Sequence, residues 1–238
     1  MNLPNAITVA RIAATPLIAL LPFVPSWSAR LLAFTIFLAA AITDYYDGML
    51  ARTRGLITDL GKQLDPIADK ALLVATLVPM FALMGRGLSG ALLWTPDRDG
   101  AATTVIDIGG LPFVTPLGLV SLPWWIPAVV LGRELFMTVF RQAAARRGVV
   151  IAAIGPAKWK TGFQMVWVGA AFFWFFAATL AGHRRWSSGS WTAFANFNGI
   201  VGSLAMVGAV VLTLYTLVLY MRRYGRVLFG SAGRAGAG

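Results

Sequence analysis

Residues 44–69 of the chain read DYYDGMLARTRGLITDLGKQLDPIAD. This stretch lies between two apolar runs, AFTIFLAAAI at 33–42 and LLVATLVPMFAL at 72–83. It carries five aspartates, four of which form two pairs, one at the end of the first run and one just before the second. The arrangement predicts two long apolar helices whose neighbouring ends share an acidic site.

The composition predicts that these helices lie in a membrane. Of the 238 residues, 58% are hydrophobic and only 12% are charged. Runs of roughly 20 apolar residues match the thickness of a bilayer core. We expect one all-α polytopic membrane domain over 1–225, with an external insertion at 85–123, followed by a flexible tail at 226–238. The six expected transmembrane helices are 6–24, 30–48, 66–84, 124–143, 160–181 and 199–221.

The positive charges predict the orientation of these spans. With both chain ends in the cytosol, only five of the twenty Lys and Arg residues fall outside: Arg30, Arg86, Arg98, Arg184 and Arg185. Because cytosolic loops are enriched in these residues, the aspartates should face the cytosol at an inner or plasma membrane. The net charge of +11 is scattered among the spans, so anionic membrane lipids are expected partners and nucleic acid is not.

The aspartate pairs predict a metal site. Asp44 and Asp47 are three residues apart and Asp65 and Asp69 are four apart, so each pair shares one helix face. Four like charges at a membrane edge need compensating cations. The chain has no cysteine and one histidine, so oxygen ligands for a hard cation, Mg²⁺, Mn²⁺ or Ca²⁺, are expected, in a number sufficient for two ions; of these, Mg²⁺ or Mn²⁺ is the prediction. Such a site suits phosphoryl transfer, although an ion pathway or a solvated helix end would use the same residues.

Small and basic residues between the pairs are compatible with a nucleotide pocket. Gly48, Ala51 and Gly61 would let a flat base or a diphosphate approach the backbone, and Arg52 can balance a phosphate. Each glycine taken singly is better explained by helix packing or capping. The nucleotide interpretation therefore depends on the whole set.

The spacing from Asp44 to Asp69, D-x-x-D-G-x-x-A-R-x(8)-G-x-x-x-D-x-x-x-D, resembles the signature of the CDP-alcohol phosphotransferases. Further segments are similar to the phosphatidylglycerophosphate synthase branch of that family: Asn5-x-x-Thr8-x-x-Arg11, Gly132-Arg133-Glu134 and Lys158-Trp159-Lys160-Thr161. The chain departs from that branch at Ala157-Lys158, where Gly-Lys is usual. This departure concerns the local loop geometry.

The resemblance implies a six-span fold in which CDP-diacylglycerol enters from the bilayer and sn-glycerol 3-phosphate is the acceptor. It implies metal ligation by Asp44, Asp47, Asp65 and Asp69, with Asp69 also deprotonating the acceptor hydroxyl and CMP leaving. Gly48, Ala51, Arg52 and Gly61 match the positions that line the CDP pocket. The resemblance also implies a homodimer in which each subunit holds its own site.

A phosphorylated acceptor needs cations of its own. Four basic residues at the expected cytosolic ends of spans four and five can supply them: Arg133, Arg141, Lys158 and Lys160. Glu134 either belongs to this site or simply pairs with a neighbouring arginine. Sibling enzymes with other acceptors, a cardiolipin synthase or a phosphatidylinositol phosphate synthase, stay open alternatives. A divalent-cation transporter with the aspartates as its permeation site is the alternative from another class.

Overall fold

The computed structural model describes residues 3–53, 59–85, 94–96, 103–105, 110–149, 151–152 and 155–229. The described chain is dominated by long helices, joined in places by short strands. The helices are α1 Leu3–Leu20, α2 Trp27–Thr53, α3 Asp59–Met84, α4 Trp125–Arg146, α5 Gly155–Arg184 and α6 Gly189–Phe229. A single 3₁₀ turn, Leu21–Phe23, follows α1. The predicted all-α fold is confirmed.

The helices identify an integral membrane protein. Within the described residues, α1, α2, α3, α5 and α6 are long and apolar enough to cross a membrane. The sequence also predicts a span at 124–143, the fourth of six, and α4 matches it from Trp125 onward. This helix does not qualify by composition, because it carries Arg133, Glu134 and Arg141. Its outer face is nevertheless apolar, with Leu135 and Val139 exposed. A helix that turns its charges toward its neighbours can still present an apolar surface to lipid.

Most predicted spans are shorter than the helices that contain them. Helix α6 has 41 residues, where the expected span is 199–221. At 1.5 Å per residue its length is about 62 Å, roughly twice the thickness of a bilayer core. Helix α2 likewise continues to Thr53 and α3 begins at Asp59, so the aspartate pairs lie on regular helices. The difference arises because hydropathy marks the hydrocarbon region, whereas helical hydrogen bonding continues beyond it.

The helices pack in two groups that meet in the middle. Helix α1 packs against α2 and α3, and α5 packs against α6. Contact between α2 and α5 joins the groups, with the rings of Phe37 and Phe172 5.5 Å apart at their centroids. Helix α4 lies against α6 and also contacts α3. This packing brings residues of α2, α3, α4 and α5 around one cavity.

The 85–123 segment contains two antiparallel hairpins among its described residues. Strand β1, Trp94–Pro96, pairs with β2, Thr103–Val105, and strand β3, Phe113–Thr115, pairs with β4, Gly118–Val120. The second hairpin packs on α6, where the buried Phe113 ring lies against Gly202 and the Val114 backbone lies against Gly199. These glycines are three apart on one helix face, and their missing side chains allow the close approach.

Gly202→Ala should destabilise the protein, because the added Cβ would overlap the Phe113 ring. Overpacking of a filled core typically costs about 1–3 kcal/mol. The thermal unfolding temperature in detergent is the measurement. Gly162→Ala on α5 is the control, since a Cβ there meets no atom within 4 Å and alanine favours a helix. An unchanged unfolding temperature for Gly202→Ala would contradict the docking of this hairpin on α6.

Candidate active site

A cavity of about 500 Å³ lies between α2, α3, α4 and α5. Its acidic wall contains Asp44 of α2 together with Asp65 and Asp69 of α3. The structure therefore brings together three of the four aspartates expected to hold metal. The side chain of Asp47 lies outside the described residues, although its backbone continues α2.

Helix α1 supplies a cation to this acidic wall. The guanidinium of Arg11 forms an ion pair with Asp44, and its Nη1 lies 3.7 Å from Oδ1 of Asp69. The Arg11 side chain is only 1% exposed. A buried charge is stable only where opposite charge compensates it, so the carboxylates stabilise Arg11, and Arg11 offsets part of the repulsion between Asp44 and Asp69. It also ties α1 to both α2 and α3.

Two further polar residues of α1 lie on the same helix face as Arg11. The hydroxyl of Thr8 donates a hydrogen bond to Oδ1 of Asp65 at 3.1 Å, and Asn5 is buried one turn earlier. From the sequence, Thr8 and Asn5 stand out only through the resemblance to the family. Their spacing of three in an otherwise apolar helix is the signal that they face a polar site.

The chemistry of the acidic wall fits a hard divalent cation, because its donors are carboxylate oxygens. The side chains of Asp44 and Asp69 are 40% and 63% exposed, although both residues line the cavity. In the part of the chain that the structure describes, no three acidic or histidine side chains form a ready-made metal site. The type of donor atom therefore fits a divalent cation, and the identity of the ligands stays a prediction.

The facing wall contains an ionic network centred on Glu134. Its Oε1 accepts a hydrogen bond from Nη1 of Arg133 at 2.8 Å and another from the Lys160 ammonium. The side chains of both cations are buried, 7% and 8% exposed. Glu134 therefore pairs with its neighbouring arginine, which the sequence left open, and also joins α4 to α5 through a residue 26 positions away.

The expected acceptor-binding cations do not all reach the cavity. Lys160 lines it together with Arg141, whose Nη2 is 3.5 Å from Oη of Tyr220. Arg133 is buried behind Glu134. Lys158 is exposed and borders a separate hollow at the start of α5. Whether each cation reaches the cavity depends on the rotation of its helix about the helix axis. The sequence does not determine that rotation.

The residues expected to contact CDP are described only in part. Gly48, Ala51 and Arg52 continue α2 as backbone, and their side chains lie outside the described residues. Gly61 is half-buried on α3, about one turn before Asp65. Their role in nucleotide binding stays a prediction.

Together, the fold and the cavity define a polytopic membrane protein whose cavity is lined by carboxylates of α2, α3 and α4 and by cations of α3, α4 and α5, among them Lys70. The family model described as CDP-alcohol phosphatidyltransferase matches residues 1–215. The chain belongs to the CDP-alcohol phosphatidyltransferase family.

Curated relatives cover nearly the whole chain. It is 31% identical to CDP-diacylglycerol–glycerol-3-phosphate 3-phosphatidyltransferase 1, chloroplastic/mitochondrial, of Arabidopsis thaliana, over 96% of this chain and 64% of that protein. It is 32% identical to a "Probable phosphatidylglycerophosphate synthase" of Mycobacterium tuberculosis, over 96% of this chain and 84% of that protein. It is also 32% identical to a cardiolipin synthase (CMP-forming) of Oryza sativa subsp. japonica, over 96% of this chain and 59% of that protein. The chain thus spans less than two thirds of the Arabidopsis and rice proteins.

Glu134→Gln should destabilise the protein, because Arg133 and Lys160 would lose the carboxylate that they share. Removing one partner of a fully buried ion pair typically costs about 3–5 kcal/mol, and a smaller loss is expected here because the Glu134 side chain is 27% exposed. Unfolding temperatures in detergent measure the loss for Glu134→Gln, for Lys160→Met and for the double variant. The double variant should lose less than the sum of the two single losses, since the side chains interact directly. Strictly additive losses would contradict the pairing.

Proposed function

We propose that the protein transfers the phosphatidyl group of CDP-diacylglycerol to sn-glycerol 3-phosphate, giving phosphatidylglycerophosphate and CMP. The observation that carries this proposal is the cavity that Asp44, Asp65 and Asp69 line together with Arg141 and Lys160. Carboxylates suit a metal-bound diphosphate, and cations suit the phosphate of a second substrate. The Arabidopsis and M. tuberculosis relatives, whose names carry this activity, support glycerol 3-phosphate as the acceptor.

In this proposal the acidic wall holds Mg²⁺ or Mn²⁺, as two ions. Their ligands are Asp44, Asp47, Asp65 and Asp69. When bound, the ions would neutralise charge on the phosphates of the nucleotide lipid. The CDP moiety would lie along the α2 and α3 positions of the family motif: Gly48, Ala51, Arg52 and Gly61.

Asp69 is proposed as the catalytic base. The resemblance to the family assigns this role to Asp69, and its side chain is 63% exposed, compared with 40% for Asp44. Asp69 would take the proton of the acceptor hydroxyl as the hydroxyl oxygen bonds to the lipid-linked phosphorus. The bond from that phosphorus to the oxygen of the CMP group breaks, and CMP leaves with the electron pair.

The basic wall would bind the acceptor phosphate. Lys160 and Arg141 line the cavity and can reach an anion within it. Arg133 contributes indirectly, since it shares Glu134 with Lys160. Lys158, which borders a different hollow, has the weakest support among the four predicted cations.

The side of the membrane and the assembly belong to the same proposal. The predicted topology, which puts fifteen of the twenty Lys and Arg residues on the side of the aspartates, supports a cavity that opens to the cytosol. The resemblance to homodimeric family members supports a dimer in which each subunit carries its own cavity. Crosslinking in native membranes, before detergent extraction, tests the dimer.

A cardiolipin synthase activity is the second candidate. The similarity to the rice cardiolipin synthase, at 32% identity over 96% of this chain, favours it. The two activities share the nucleotide lipid and differ in the acceptor. The acceptor therefore discriminates between them.

Purified protein supplied with labelled CDP-diacylglycerol and Mn²⁺ should release CMP with sn-glycerol 3-phosphate as the acceptor. Phosphatidylglycerol and inositol phosphate, supplied separately, should give at most a few per cent of that rate, because the proposed cations match a small phosphorylated acceptor. Product formed only with phosphatidylglycerol would replace the proposal by the cardiolipin synthase activity. Cation uptake into vesicles without any CMP release would favour a transporter.

Asp69→Asn should lower the rate of CMP release by about 10²–10⁴-fold, because a positioned general base contributes that much. Binding of the nucleotide lipid should persist. Asp65→Asn should instead raise the Mn²⁺ concentration needed for half-maximal rate. Asp99→Asn, a change of the same chemistry in the predicted external insertion, is the control. CMP release near the unmodified rate in Asp69→Asn would remove its assignment as the base.

A further inference from the structure

We infer that α6 positions the basic wall of the cavity, with Thr216 and Tyr220 as positioning residues for the acceptor. Among the described residues, those lining the cavity come from α2, α3, α4 and α5. Helix α6 contributes none of these residues, and it contacts two arginines of α4. The inference rests on the proposed function and adds to it residues that determine how the acceptor phosphate is held.

Thr216 fixes the guanidinium of Arg133. The threonine is fully buried, and its hydroxyl donates to the carbonyl of Leu212 at 2.7 Å. With its proton directed along the helix, the hydroxyl oxygen can accept from Nη2 of Arg133 at 3.2 Å. The other terminal nitrogen of Arg133 donates to Glu134, which in turn holds Lys160. A chain of hydrogen bonds thus runs from α6 to the cation that lines the cavity.

Tyr220 provides a second contact between α6 and α4, to the side chain of Arg141. Its side chain is fully buried against Met137 and Phe140 of α4. Its hydroxyl is 3.5 Å from Nη2 of Arg141, and the guanidinium carbon lies 5.8 Å from the ring centroid. The distance to the ring is within the range of a cation–π contact. Tyr220 can therefore restrict the motion of the Arg141 side chain, which is exposed.

The spacing of these residues matches the contact between the helices. Thr216 and Tyr220 are four apart on α6, and Arg133 and Arg141 are eight apart on α4, so each pair lies along one helix face. The rest of α6 is largely apolar, and burying a hydroxyl inside a membrane protein is costly unless it is paired. The hydroxyls of Thr216 and Tyr220 each contact one arginine of α4.

This arrangement predicts an effect on one substrate only. A phosphate bound by two cations needs them at a fixed separation, because looser side chains lose more conformational entropy on binding. Loss of the Thr216 or Tyr220 contact should weaken binding of the acceptor phosphate. Binding of CDP-diacylglycerol, assigned to the opposite wall, should not change.

Thr216→Val removes the hydroxyl at nearly constant volume and is the principal test. Loss of a hydrogen bond to a charged group predicts a rise of about tenfold in the KM for sn-glycerol 3-phosphate. The KM for CDP-diacylglycerol and the kcat should stay within about twofold of the unmodified values. Thr216→Ser should restore the acceptor KM, because it keeps the hydroxyl.

Thr213→Val is the matched control. Thr213 is also buried on α6, and its hydroxyl has no hydrogen-bond partner within the described parts of the chain. The acceptor KM of this variant should be unchanged. Tyr220→Phe is the second variant, with an expected rise of about threefold because the ring contact with Arg141 remains. It decides the question if Thr216→Val does not fold at the assay temperature.

The outcomes separate the inference from the proposed function. If the unmodified protein releases CMP with glycerol 3-phosphate and neither Thr216→Val nor Tyr220→Phe raises the acceptor KM, the inference is wrong and the function stands. An equal rise in Thr213→Val would also overturn the inference, since it would show a general effect of α6 packing. If the unmodified protein does not use glycerol 3-phosphate at all, both fail.

Discussion

The placement of Arg11 among the carboxylates is the interaction on which the rest of the site depends. Asp44, Asp65 and Asp69 lie around one cavity, and like charges so close together in a membrane protein repel and resist desolvation. The buried guanidinium of Arg11 pairs with Asp44 and lies near Asp69, so it offsets part of this repulsion. The same side chain would be unstable without them. Helices α1, α2 and α3 are therefore held together by a mutual requirement for opposite charge.

The features that the sequence predicted well are those that depend on local pattern. Apolar runs fixed the positions of six helices, and the three- and four-residue spacing of the aspartates placed each pair on one helix face. Helix lengths were underestimated, as in the 41 residues of α6, because hydropathy does not report where helical hydrogen bonding ends. The docking of β3 on Gly199 and Gly202 was not foreseen, since it joins segments more than eighty residues apart.

The basic wall could be predicted only in composition. Arg133, Arg141, Lys158 and Lys160 have the same charge, but the structure divides them between the cavity, the protein interior and an exposed hollow. That division depends on the rotation of α4 and α5 about their axes, which is set by packing against α3 and α6. Glu134 illustrates the difference: its contact with Arg133 is local, whereas its contact with Lys160 requires two helices to be side by side.

The two walls also bear on how the proposed reaction could use one cavity for two anionic substrates. A wall of unpaired cations would be costly to keep when the cavity is empty, and Glu134 reduces that cost by sharing its charge with Arg133 and Lys160. In the proposed reaction, an incoming phosphate would compete with Glu134 for Lys160, so the ion pair would lower the affinity for the acceptor while stabilising the empty site. Arg141 contacts the neutral Tyr220 and, in the contacts described, no carboxylate. Its positive charge would therefore be more available to the acceptor phosphate. Selectivity for a phosphorylated acceptor would then depend on both cations, one partly neutralised and one not.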